Sequence, residues 1–79
     1  MQDGDTVGRR AAIARHAAGL TQEQAIMELS ARLGKDAPTV SWLSKVEADV
    51  IHDPGARMLG ELARVYGCEL EELVFGEAS

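Results

Sequence analysis

Few residues of the kinds that usually carry chemistry occur in this 79-residue chain. His16, His52 and Cys68 are the available nitrogen and sulfur ligands, but they are scattered without the spacing that gathers donors around one ion. Solvated or core roles suit them better, and no metal or cofactor is expected. No Ser/His/Asp arrangement, paired-carboxylate site or phosphate-cradling glycine loop is present, so the chain reads as a non-enzyme. What remains is hydrogen-bonding chemistry. Thr21 followed three residues later by Gln24 is a capping box. Downstream, Ser41-Trp42-Leu43-Ser44-Lys45-Val46-Glu47 reads as a short helix with a polar outer edge, Leu43 and Val46 facing inward. Two hydroxyls and an ammonium group on such an edge either meet a partner or form an ordinary solvated face. Trp42, between that edge and Leu43, reads as packed against the preceding helix, with an exposed wedge as the alternative.

The elements that must hold these residues are helical, since no stretch shows the strict alternation of a half-buried strand. A first helix is expected over about Thr6 to Ala18, with Val7, Ala11, Ala14 and Ala18 on one face and Gly19 closing it. The second starts at Gln22, carries Ala25, Ile26, Leu29 and Leu33 at the helical period, and ends at Gly34. Lys35-Asp36-Ala37-Pro38 is a turn, because proline disfavours the helical conformation in the residue before it. Thr39 then caps a third helix over Val40 to Glu47. After an irregular Ala48 to His52, Asp53-Pro54 reads as an N-cap followed by proline at the first helical position. The fourth helix carries Met58, Leu59, Leu62, Val65 and Tyr66 and closes at Gly67. A fifth, about Leu70 to Phe75, offers Leu70, Leu73, Val74 and Phe75.

The expectation is therefore a compact all-α domain of five helices over residues 6–76, with flexible ends at 1–5 and 77–79. A chain this short hides only about 60% of its unfolded surface, so one small core is its limit. The single cysteine cannot form an internal disulfide, and no apolar run approaches the roughly 18 residues of a membrane span. The N-terminus also lacks the basic start of a signal peptide. A cytoplasmic setting with no membrane partner is expected. The net charge of -5 is unevenly spread. Residues 6–48 hold six cations against four carboxylates, whereas residues 49–79 hold two against seven. A modestly positive face with an acidic back can meet a polyanion, but with poor non-specific affinity.

Gly19-Leu20-Thr21-Gln22-Glu23-Gln24, Ser44-Lys45-Val46-Glu47, Asp53-Pro54 and Leu62-Ala63-Arg64-Val65-Tyr66-Gly67-Cys68-Glu69-Leu70-Glu71-Glu72-Leu73 follow one another in order. Together they resemble the lambda-repressor/Cro-like, or Xre, helix-turn-helix family over about residues 7–75. The resemblance implies a lambda-repressor-like fold and a cytoplasmic, nucleoid-associated regulator of bacterial or phage type, bound to double-stranded DNA. The third helix would lie in the major groove, with Thr39, Val40, Ser41, Ser44 and Lys45 at the base-reading positions. Lys45 would donate to guanine, Ser41 would donate or accept, and Val40 would pack on a thymine methyl. Thr21 and Gln22, opening the second helix, would present backbone amides to a phosphate. Arg15 and Glu47 fall where the family places a partly buried ion pair tying the first helix to the end of the third. Homodimerisation through the last helix is implied too, with Leu70, Val74 and above all Phe75 at the interface.

Two features depart from the family pattern. The stretch from Thr21 to Glu47 is about seven residues longer than usual, which a second helix extended through Ser30-Ala31-Arg32-Leu33 would absorb. Arg32 and Lys35 would then lie near the DNA backbone or form a protein-facing ridge. The loop after the third helix, Ala48-Asp49-Val50-Ile51-His52-Asp53, has no lysine or arginine where the family usually touches phosphate. A sequence-specific, repressor-like regulator is the leading expectation. The alternative is a protein-interaction module that docks another regulator or a polymerase component through its acidic face and lengthened second helix.

Overall fold

Side-chain caps fix where the first three helices begin. The computed structural model describes residues 5–76, and among these are five α-helices and no strand. Helix α1 spans Val7–Ala17, α2 Gln22–Leu33, α3 Val40–Glu47, α4 Ala56–Tyr66 and α5 Leu70–Phe75. Thr6, Thr21 and Thr39 each accept the amide of the residue three ahead (Arg9, Gln24 and Trp42), satisfying one otherwise unpaired donor per helix. At α2 the box is complete, since Gln24 Oε1 also accepts the Thr21 amide at 2.9 Å. The all-α class read from the sequence is the class observed. Most of the expected flexible ends lies outside the described residues; Asp5 is described, and its carboxylate accepts from Arg10 Nη1 at 2.7 Å.

The long stretch between Thr21 and Glu47 resolves into a 12-residue α2 that runs through Ser30–Leu33. A single 3-10 turn, Gly34–Asp36, follows before the extended Ala37–Thr39. One expectation needs correction. Asp53 does not cap α4, and Pro54 is not its first residue. Asp53 Oδ1 instead accepts the Gly55 amide at 3.1 Å, closing a three-residue turn over Asp53, Pro54 and Gly55. Gly55, at φ +92°, is the N-cap, and α4 starts at Ala56. The same short carboxylate serves either device, and the glycine that follows tips the choice by supplying a left-handed φ.

One core joins all five helices. Ala11, Ala25, Leu29, Leu43, Leu59, Leu62, Ala63, Tyr66 and Leu73 are buried in a single cluster, with Val46 also fully buried. Two contacts position α1 and the sequence announced neither. Gly8 lies so close to the end of α3 that an added Cβ would collide with the Val46 carbonyl oxygen and come within 2.7 Å of Asp49 Oδ1. Arg10 reaches across to α5, where Nε donates to the Leu73 carbonyl at 2.8 Å and Nη2 to that of Val74 at 2.7 Å. These are carbonyls in the last turn of a helix, where no intrahelical donor exists. No helix of the described residues is long and apolar enough to cross a membrane.

Candidate nucleic-acid interface

Burial of one face of α3 determines what the other can offer. Leu43 and Val46 are fully buried, and Trp42 is half-buried against the core rather than projecting as a wedge. That leaves Ser41, Ser44 and Lys45 exposed, one helical turn apart along a single edge. Thr39 stands exposed ahead of them and Val40 half-buried. The Thr39 hydroxyl accepts the Trp42 amide at 3.1 Å, so its proton remains available to donate outward. Lys45 has no ion-pair partner among the described residues. Its own carbonyl accepts from both Val50 and Ile51, at 2.9 and 3.1 Å, folding the chain back over the end of the helix.

The far end of α3 is tied down by a bidentate pair. Arg15 Nε donates to Glu47 Oε2 at 2.7 Å and Arg15 Nη2 to Glu47 Oε1 at 3.0 Å. The two side chains are only 10% and 8% exposed. Arg15 Nη1 also donates to the Leu20 carbonyl at 2.9 Å, and Gln22 Nε2 donates to Glu47 Oε1 at 2.9 Å. The last residue of α3, the end of α1 and the start of α2 therefore meet in one network. Hydrogen bonding to Glu47 raises the Arg15 pKa above its ordinary value, against a smaller opposing effect of burial. His16 lies beside the pair, its Nε2 accepting from Arg15 Nη2 at 3.0 Å, since a guanidinium can only donate.

The residues expected near a DNA backbone are placed unequally. Gln22 spends its side chain on Glu47, and its main-chain amide and that of Glu23, in the first turn of α2, have no intrahelical acceptor. Together with His16, Gly19, Leu20, Thr21 and Val40 they line an open groove of about 550 Å³ that joins the start of α2 to the start of α3. Arg32 is paired with Glu61 of α4 at 2.9 Å and is not a free cation. Lys35, in the 3-10 turn, is exposed with no such partner among the described residues. The loop after α3 turns at Asp49, a non-glycine residue at φ +63°, whose Oδ2 accepts from Thr6 Oγ1 at 3.0 Å. Of the residues expected at a dimer interface, Leu70 and Val74 are half-buried against their own core. Phe75 is 70% exposed.

Cys68 is free and half-buried; burial first, and then the neighbouring carboxylate of Glu72, pushes its thiol pKa up, away from reactive thiolate chemistry. No group of three or more His, Cys, Asp or Glu side chains is placed to hold a metal among the described residues. Gly8 and Arg10 are the positioning residues that sequence reasoning missed. For Gly8 the one sequence clue is its place seven residues before Arg15, on the same helix face, where a missing side chain permits a close approach. Arg10 has no comparable signal, because its acceptors are carbonyls 63 and 64 residues away. No family model, curated protein or solved structure matches the chain.

Proposed function

We propose that the chain is a sequence-specific DNA-binding domain of the lambda-repressor/Cro-like helix-turn-helix kind, a repressor-like transcriptional regulator acting as a homodimer. The observation that carries this reading is the free edge of α3. Thr39, Ser41, Ser44 and Lys45 present hydrogen-bonding groups on a helix whose opposite face is buried and whose end is clamped by Arg15 and Glu47. A helix held this rigidly can be lowered into a major groove with its side chains already at the height of base edges. Gln22 and Glu23 line the open groove at the start of α2, and their first-turn amides, free of intrahelical acceptors, would hold a phosphate oxygen there. Phe75 supports the dimer, since two linked readers gain affinity that a single one with few phosphate contacts lacks.

The test is a fluorescence titration with genomic duplex fragments over a range of salt, comparing the native chain with Lys45→Ala. Selective binding that weakens in the variant by about 1–3 kcal/mol supports the reading. An absence of binding to every fragment at low salt overturns it. That outcome would favour the second reading, a protein-docking module. Two observations support that alternative: Met27 stands 70% exposed on the long α2, and the loop beside α3 carries carboxylates in place of cations.

A further inference from the structure

A duplex held on α3 needs cations beside the base-reading edge, because phosphate contacts supply most of the affinity. The fold uses up several of its own. Arg10 is bound to α5 carbonyls and Asp5, Arg15 to Glu47, and Arg32 to Glu61. In the half of the chain that builds α1 to α3, this leaves Arg9, Lys35 and Lys45 with no acceptor for their side chains among the described residues. They bracket α3: Lys35 precedes it, Lys45 lies on it, and Arg9 stands at its far end.

The position of Arg9 follows from its neighbours. Gly8 packs against the Val46 carbonyl and Asp49, Thr6 Oγ1 donates to Asp49 Oδ2, and the Arg9 amide donates to Thr6 Oγ1 at 3.1 Å. The first turn of α1 is thus fastened to the point where α3 gives way to its loop. With Gly8 facing α3, the next residue projects about 100° round the helix, to the side of that contact and into solvent, and Arg9 is exposed. We infer that Arg9 is the phosphate anchor at the C-terminal end of α3, taking the place of the cations its loop lacks. The inference rests on the DNA-binding reading above. A guanidinium suits the task, since its planar fork meets phosphate oxygens two at a time and stays charged at any working pH.

The experiment measures affinity for a random-sequence 30-base-pair duplex, by fluorescence anisotropy, as a function of salt. Four chains are compared: the native one, Arg9→Ala, Arg9→Lys and Arg64→Ala, the last removing an exposed cation on α4. Loss of one phosphate contact should lower the salt slope by about 0.9 and weaken binding on the order of tenfold near 0.1 M salt. Arg9→Lys should keep the slope, and Arg64→Ala should match the native chain. Helical circular dichroism checks that Arg9→Ala folds, as expected when only its main chain serves the cap. If the native chain binds and Arg9→Ala binds equally well with the same slope, the inference fails while the DNA-binding reading stands. An equal loss in Arg64→Ala would also overturn it, by reducing the effect to net charge. A native chain that binds no duplex overturns both.

Discussion

Two buried polar groups in this domain have opposite energetic signs. The Arg15–Glu47 pair is fully hydrogen-bonded, so its net worth over apolar packing is small, yet removal of one partner strands the other charge. Glu47→Ala should therefore destabilise the fold by roughly 3–5 kcal/mol, read by thermal or urea unfolding; an unchanged midpoint would discard the brace. Tyr66 is the reverse case, because its buried hydroxyl has no hydrogen-bond partner among the described residues. Tyr66→Phe should raise stability by about 1–3 kcal/mol, the cost of an unsatisfied buried group. Burial pushes the Tyr66 phenol well above its ordinary value of 10, with the Glu47 charge adding to the shift. A group whose folded pKa is raised contributes stability that is intact below its unfolded pKa and lost as pH climbs beyond it. The native chain should thus lose stability above about pH 10, with a shallower decline in Tyr66→Phe. The chain has one tyrosine, so phenolate absorbance reports this group alone.

Helix boundaries were largely legible in the sequence because they are set locally. Three threonine caps fix α1 to α3, and the starts of α2, α3 and α5 coincide with those read from capping and periodicity. What local reasoning could not see was long-range. Asp53-Pro54 was misread because one carboxylate can close a turn or cap a helix, and Gly55 decided between them. The Arg10 clasp on α5 joins residues more than sixty positions apart and leaves no mark in spacing. The pairing of Arg15 with Glu47 came from family resemblance rather than from any periodic signal. For the candidate site, α3 and its outward residues were legible. The loss of Arg32 to Glu61 and of the Gln22 side chain to Glu47 was not, since each depends on a helix packed alongside. Helix packing also supplies a test: Gly8→Ala should cost about 1–3 kcal/mol or more in urea unfolding, because the methyl has no space against Val46. A neutral result would mean that α1 and α3 can separate without penalty.

Across the whole molecule, apolar exposure and charge are both uneven. Phe75 and Ile13 remain 70% and 56% exposed on α5 and α1, two helices that pack together, and an 8.5 kDa chain has little surface to spare for idle aromatics. If this end is where two copies meet, Phe75→Ser should weaken self-association on the order of tenfold or more in sedimentation equilibrium. An unaltered association constant would place the interface elsewhere. Within the acidic C-terminal part, Glu72 serves the fold directly, its Oε1 accepting the Glu69 amide at 2.8 Å at the start of α5. The half-buried side chain of Trp42 has an optical consequence. It is the only indole in the chain and is carried by α3 itself, against the core. Its emission should move to the red when the domain unfolds and to the blue when another molecule covers that helix. The domain therefore contains its own unlabelled fluorophore, able to tell docking from denaturation by the direction in which its colour changes.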